Sequence, residues 1–286
     1  MMYRTALRGA LLLLLLAAAA TSAATAGAGP AAVPQLIFPV VGQVSYTDDF
    51  GDARGSGRHE GNDLMAPKRA IAVAAESGTV KFWTTSARAG CLLYLYGDSG
   101  TKYIYVHLNN DLTLGNDNAG KCVAGVAYAP ALKSGDRVAA GQPVGFVGDS
   151  GDANGIASHL HFEVHPKGGA AVSPFAYLRK AKRLLVAAPP SGAAFTLKLV
   201  GTVVATGERE LGVKVDTLQA WPSHLKVTKL GKTITLDVPG GSDSAPMALP
   251  ALAGLRVAVW TLPTLPTLEA LTGAAYALSA QKIELR

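Results

Sequence analysis

Short apolar runs with near-alternating polar positions, punctuated by glycine, fill the chain from Leu36 to about Val186. IAVAAESGTVKFW, CLLYLYGDSGTKYIYVHL, RVAAGQPVGFVG and HLHFEVH carry β-branched or aromatic residues near period two, the spacing of a strand with one face inward. Gly78, Gly97, Gly100, Gly141 and Gly148 fall where the turns must lie. The pattern predicts an antiparallel β architecture. Between His107 and Gly135 the stretch NNDLTLGNDNAGKCVAGVAYAPALKS is polar and without a period, and reads as an inserted loop. PFAYLRKAKRLL, from Pro174, is the one short helix expected, closing this first domain.

AAPPSGAA, residues 187–194, has the composition of a linker. Five more strand-like runs follow it: FTLKLVGTVVAT, LGVKVDTLQAW, TITLDVP, LRVAVWTL and LSAQKIEL. Gly201 interrupts the first, and TLPTLEALTGAA makes a longer connection before the last. Five strands of this spacing suit a small closed barrel, OB-like in arrangement, with a sandwich as the competing reading.

The amino-terminal thirty residues have another character. Arg4 and Arg8 precede a leucine and alanine run that ends in small residues, the pattern of a cleaved export signal over 1–28. Its apolar core is too short for a lasting membrane span, so no stable membrane insertion is expected after cleavage. The expected organisation is a signal peptide over 1–28, a first domain over 35–186, the linker at 187–194 and a small β-barrel domain over 195–286, in an exported protein, periplasmic or secreted. Loss of Arg4 and Arg8 lowers the formal charge of +6 by two, and the other basic residues are scattered, which argues against nucleic acid as a partner. Two cysteines, Cys91 and Cys122, in an oxidising compartment are expected to pair, with two buried thiols as the alternative.

Of the 6 histidines, His59, His107, His159, His161 and His165 lie in the first domain and His224 in the second. In HLHFEV, residues two apart face the same side of a strand, so His159 and His161 share one site. His59 and Asp63 sit in GSGRHEGNDLMAP, where Gly57 and Gly61 favour a turn, which excludes the helical H-E-x-x-H arrangement and leaves Glu60 a solvated loop residue. Imidazole and carboxylate together suit zinc with one position open to water. Glu163 reads as support for a ligand, His165 as a rim or structural residue and His224 as surface. Asn62, Tyr103 and Tyr105 are candidates for the groove wall or the core.

HEGNDLMAP, YVHLNN and SHLHFEV, in that order, resemble the motifs of the lysostaphin or LytM-type zinc metallopeptidases. AVAAESGTV and KSGDRVAAGQPVGFVGDSGDANGIASHLHFEV extend the likeness over about Phe38 to Tyr177. The resemblance implies a β-sandwich-like catalytic domain holding one zinc ion per chain on His59, Asp63 and His161. It implies that His107 and His159 serve catalysis beside the metal, one as general base or acid and the other steadying the oxyanion. The implied function is a zinc metalloendopeptidase acting on peptidoglycan stems or cross-bridges. The competing readings are a non-enzymatic envelope regulator or wall-binding scaffold, and a secreted peptidase acting on glycine-rich proteins. The long loop after His107 and the stretch DSGDANGIASHLH depart from the family's usual pattern and both flank the groove.

Overall fold

A computed structural model describes residues 33–55, 57–189, 193–222, 225–240, 247–274 and 277–286. The export signal over 1–28, His224 and part of the 187–194 linker lie outside them. Strand outweighs helix by 44% to 9%, as the alternating pattern requires of an all-β chain. Among the described residues no helix is long and apolar enough to cross a membrane.

A short ribbon of β1 (Ala53–Arg54) and β2 (Gly57–Arg58) leads into β3 (Asn62–Met65) and β4 (Ile71–Val73). The central sheet then takes β5 (Gly78–Ser86), β6 (Gly90–Gly97), β7 (Lys102–Leu108), β8 (Arg137–Val138) and, after β9 (Pro143–Phe146), β10 (His159–His165). Its order is β3-β10-β7-β6-β5-β8, antiparallel at every step, while β4 pairs with β9 beside it. Alternation along these strands buries one set of side chains: Leu93, Leu95, Tyr103, Tyr105, Phe162 and Val164 all lie in the main core. Burial of such side chains drives the sheet together, at roughly 1.5–3 kcal/mol each. The glycine turn between β6 and β7 is tied down by Glu76, whose carboxylate accepts from the Ser99 amide at 2.6 Å and the Tyr103 hydroxyl at 2.7 Å.

The inserted loop has no named strand or helix, yet it is strapped to the domain at three places. Cys122 forms a disulfide with Cys91 on β6. Tyr128 stacks on Phe82 at 3.8 Å and donates its hydroxyl hydrogen among the Trp83 and Leu92 carbonyls. Asp111 accepts from the Lys68 ammonium at 2.6 Å, and the same ammonium reaches Asp149.

The helix expected after Pro174 is α1 (Phe175–Lys180), and Leu184 to Ala188 then run buried. These residues join Ile37, Val41 and Val73 in one apolar cluster with the carboxy-terminal strands, so the two β modules share packed surface. The second sheet comprises β11 (Thr196–Thr206), β12 (Glu210–Trp221), β13 (Lys226–Asp237), β14 (Arg256–Thr261) and β15 (Ala280–Leu285), with α2 (Leu268–Thr272) in the long connection before the last strand. Its order is β13-β12-β11-β14-β15, and a parallel bridge from Asp237 to Ser279 brings the two edges together. At Gly201 the register slips, and a Cβ there would lie 2.1 Å from the Lys214 carbonyl oxygen, so only glycine lets the two strands pass this closely.

The disulfide closes a separation of 31 residues, for which the chain-entropy relation gives about 3–4 kcal/mol. Replacing both cysteines with alanine should lower the unfolding free energy by about that amount in a denaturant titration, and no change would show that Tyr128 and Lys68 suffice to hold the loop.

Candidate metal centre

The register of β3 against β10 places Asp63 directly opposite His161, both on the face of the sheet away from the main core. On either side, Asn62 and Leu64 point inward and are fully buried. His59 arrives from the turn after β2, held by amide-carbonyl bonds in which His59 accepts from Gly51 at 2.8 Å and donates to Asp52 at 2.9 Å. The three side chains converge. His59 Nε2 lies 2.8 Å from His161 Nδ1 and 3.0 Å from Asp63 Oδ1, and His161 Nδ1 lies 3.1 Å from that same oxygen.

The outward nitrogens of both rings are already engaged. His59 Nδ1–H donates to the Asp49 carbonyl at 2.8 Å, and His161 Nε2–H donates to Glu163 Oε1 at 3.1 Å. In the neutral tautomers this leaves two imidazole lone pairs and a carboxylate oxygen facing one another at contact distance. Such a grouping is repulsive unless a proton or a metal cation lies among the three atoms. The donor set, one ligand atom from each residue all within 4.8 Å of one another, therefore fits a divalent ion of the zinc type, with the outer hydrogen bonds fixing ring orientation. The electrostatics of His161, Asp63 and Glu163 show the same demand for positive charge. Burial disfavours the His161 imidazolium, but Asp63 and Glu163 outweigh burial and push its pKa up to about 9. Burial raises the Asp63 carboxyl, but hydrogen bonds from His161 and His59 hold it far below the usual carboxylate range. Glu163 follows the same balance, down to about 2 through His161 and His165.

His107 reaches the site through an irregularity in β7. Tyr103 and Tyr105 face the core while Ile104 and Val106 face the other side, so regular alternation would send residue 107 inward. Instead His107 has φ +60, a left-handed conformation rare outside glycine, and Leu108 resumes the inward set. Because this one residue breaks the alternation, Tyr105 and His107 do not share a face; Tyr105, a candidate for groove wall or core, is a core residue whose hydroxyl donates to the Val73 carbonyl at 3.0 Å. The His107 ring stands 5.0 Å from that of His159 and 6.1 Å from that of His161. Its Nδ1–H donates to the Ser150 carbonyl at 2.8 Å, and His159 Nδ1–H donates to the Ala157 carbonyl at 2.9 Å. Both rings therefore hold Nε2 as an acceptor, and both line the cleft that contains His59, Asp63 and His161. Burial, helped by His159, pushes the His107 pKa down to about 4, so His107 is neutral at neutral pH.

The other candidates separate clearly. Glu163 bridges His161 and His165, accepting from His165 Nε2 at 2.6 Å, and His165 donates through Nδ1 to the Gly169 carbonyl, which keeps it out of the donor cluster. Glu60 is exposed at the mouth of the cleft. Tyr103 is buried and bonds Glu76, while buried Asn62 donates to Asp49 Oδ1 at 2.6 Å. Three contributors escaped sequence reading. Asp49 orients His59, Asn62 and Arg54; Arg54 donates to Asp63 Oδ2 at 3.0 Å; and Ser150 holds His107 by its carbonyl while its hydroxyl donates to the Leu108 carbonyl at 2.6 Å. Asp49 and Ser150 lie in loops and Arg54 in the two-residue strand β1, none with a periodic signal, and only their nearness to the histidines in the fold marks them.

Residues 120–174 match the sequence profile of Peptidase family M23. The matched segment carries β10. It supplies His159 and His161, whereas His59, Asp63 and His107 come from chain that precedes it. Similar solved structures include three peptidases. A putative glycyl-glycine endopeptidase LytM from Ruminococcus gnavus is 24% identical at a TM-score of 0.40, over 51% of this chain and 59% of that one. The catalytic domain of the antimicrobial peptidase lysostaphin from Staphylococcus simulans is 23% identical at 0.37, over 48% and 92%. A zinc-containing peptidase from Vibrio cholerae is 21% identical at 0.35, over 49% and 39%. The chain thus spans 59% of the length of the Ruminococcus structure, and the chemistry of the matched segment rests on its own side chains.

Gly61 shows how tightly that segment meets the preceding turn. A Cβ there would lie 2.5 Å from the Phe162 carbonyl oxygen and 2.9 Å from His161 Nε2. Gly61→Ala should lower stability by roughly 1–3 kcal/mol, the usual cost of overpacking, read from thermal or denaturant unfolding. An unchanged midpoint would show that the turn can move away without strain.

Proposed function

We propose that this chain is a zinc-dependent metalloendopeptidase that hydrolyses peptide bonds in peptidoglycan stems or cross-bridges. The observation that carries the reading is a division of labour among five side chains. His59, Asp63 and His161 turn their free donor atoms toward one point, while His107 and His159 turn theirs toward the same cleft without joining the cluster. His59 Nε2, Asp63 Oδ1 and His161 Nδ1 would hold one zinc ion. Bound there, zinc would supply Lewis acidity, polarising a peptide carbonyl and making water easier to deprotonate.

The remaining steps belong to the protein. His107, kept neutral by burial, and His159, each fixed by its Nδ1–H bond to a backbone carbonyl, present Nε2 to the cleft. One takes the proton of the attacking water at Nε2 and returns it to the leaving amine; the other contacts the oxygen on which charge develops. Positioned proton transfer of this kind contributes about 10²–10⁴-fold to rate. Arg54 and Asp49 keep the Asp63 carboxylate turned toward the histidines, and Glu163 does the same for the His161 ring.

The peptidoglycan substrate follows from the M23-type segment and from the export signal read over 1–28, which together suit action in the periplasm or outside the cell. The same reading assigns 35–186 to the catalytic module, 187–194 to the connector and 195–286 to a small β-barrel module that packs against it.

Metal analysis and mass spectrometry of fragments released from purified peptidoglycan test the proposal together. Wild type should carry about one zinc per chain and release fragments with new amine termini. His161→Ala should lose both. His159→Ala and His107→Asn should keep zinc while cleavage falls about 100-fold or more; asparagine is chosen because it tolerates a left-handed backbone. Stoichiometric zinc with no cleavage by wild type would contradict the enzyme reading and favour a regulator.

A further inference from the structure

The face of the central sheet that carries Asp63 and His161 continues beyond them as an apolar surface. His161 pairs with Val106, and Glu163 with Ile104, across β10 and β7. Ile104 pairs with Tyr94 on β6, and Leu92 on β6 with Trp83 on β5. Leu92, Ile104 and Val106 form a cluster separate from the main core, packed with Ala89 and Tyr94. An antiparallel sheet with one face on the core ordinarily turns polar side chains outward on the other. Here three aliphatic residues and two aromatics occupy that outer face, and Trp83 is still 39% exposed. Leu92, Ile104 and Val106 are themselves only 6–7% exposed, so the part of this surface open to a ligand is its aromatic edge, Trp83 and the half-buried Tyr94.

Its position says what it binds. A cavity of about 510 Å³ lies over Leu92, Ile104, Val106, Trp83 and Tyr94, and it shares Glu60, Ser86, Ala89, Val106 and Glu163 with the cleft of about 600 Å³ that holds the five site residues. The floor is thus an extension of the cleft, and a chain seated at the donor cluster runs onto it.

We infer that the Leu92, Ile104, Val106, Trp83 and Tyr94 floor is a side-chain subsite, which selects peptides carrying a large aliphatic or aromatic residue near the scissile bond over runs of glycine. The inference rests on the peptide-cleaving role proposed above and narrows its substrate class. An extended peptide lays alternate side chains onto such a surface. Glycine brings no side-chain area to bury there, whereas one leucine or phenylalanine brings enough for roughly tenfold or more in affinity.

The test is calorimetric binding to the zinc-loaded, full-chain His159→Ala protein, so that affinity is read without turnover. The probes are blocked pentaglycine and the same peptide with leucine or phenylalanine placed at each position in turn. At least one substituted peptide should bind tenfold or more tightly than pentaglycine, and adding Trp83→Ala or Tyr94→Ala should cut that advantage below threefold. The unfolding midpoint of each variant is measured alongside. Equal affinity for pentaglycine and every substituted peptide overturns this inference alone, as does an advantage that survives in both variants when they are folded. A protein that binds none of the peptides overturns the reading of the cleft as a peptide site, and this inference with it.

Discussion

The site depends on one strand pairing. Asp63 on β3 lies opposite His161 on β10, and this register sets the carboxylate oxygen 3.1 Å from the imidazole nitrogen before any loop contributes. Because side chains alternate with period two, a one-residue slip of β3 would bury Asp63 and expose Leu64. The fully buried Asn62 and Leu64 on either side oppose that slip. Packing of the core and placement of these donor atoms are thus the same constraint. His59 is then added from a turn whose shape is fixed by its own backbone bonds and by Asp49, and Gly61 allows that turn to lie against the His161 ring.

A second constraint is local. His107 leaves the alternation of β7 with φ +60, and the Ser150 carbonyl receives its ring on the cleft side. A left-handed conformation at a non-glycine residue costs roughly 1–3 kcal/mol and persists where the surrounding structure enforces it. The enforcement is visible: Ser150 accepts from the Cys91 amide and donates to the Leu108 carbonyl, and Cys91 is tied to the inserted loop through Cys122. The inserted loop therefore buttresses the wall on which His107 rests.

Much of this was legible in the chain. Period two in HLHFEVH put His159 and His161 on one face, and the strand runs from Ile71 to His165 and from Phe195 to Leu285 match observed strands because each pairs a buried apolar set with turn glycines. What sequence did not disclose has a common physical origin. Asp49 and Ser150 act from loops and Arg54 from a two-residue strand, where no periodicity marks a side chain's direction. The turn of His107 toward the cleft arises from a single dihedral that leaves no compositional trace. The apolar outer face of β5, β6 and β7 reads in sequence as ordinary strand hydrophobicity, and only the register shows that Leu92, Ile104 and Val106 lie on the side away from the core. Likewise the five carboxy-terminal strands are plain, but the Asp237–Ser279 bridge that joins the sheet's edges is not.

The account's central claim is the separation of three ligand side chains from two that carry chemistry. Anomalous diffraction at the zinc absorption edge from crystals of the zinc-loaded protein tests it most directly. The predicted result is one ion bonded to His59 Nε2, Asp63 Oδ1 and His161 Nδ1, with the Nε2 atoms of His107 and His159 beyond bonding distance. An ion bonded to His107 or His159, or a site elsewhere in the chain, would contradict it.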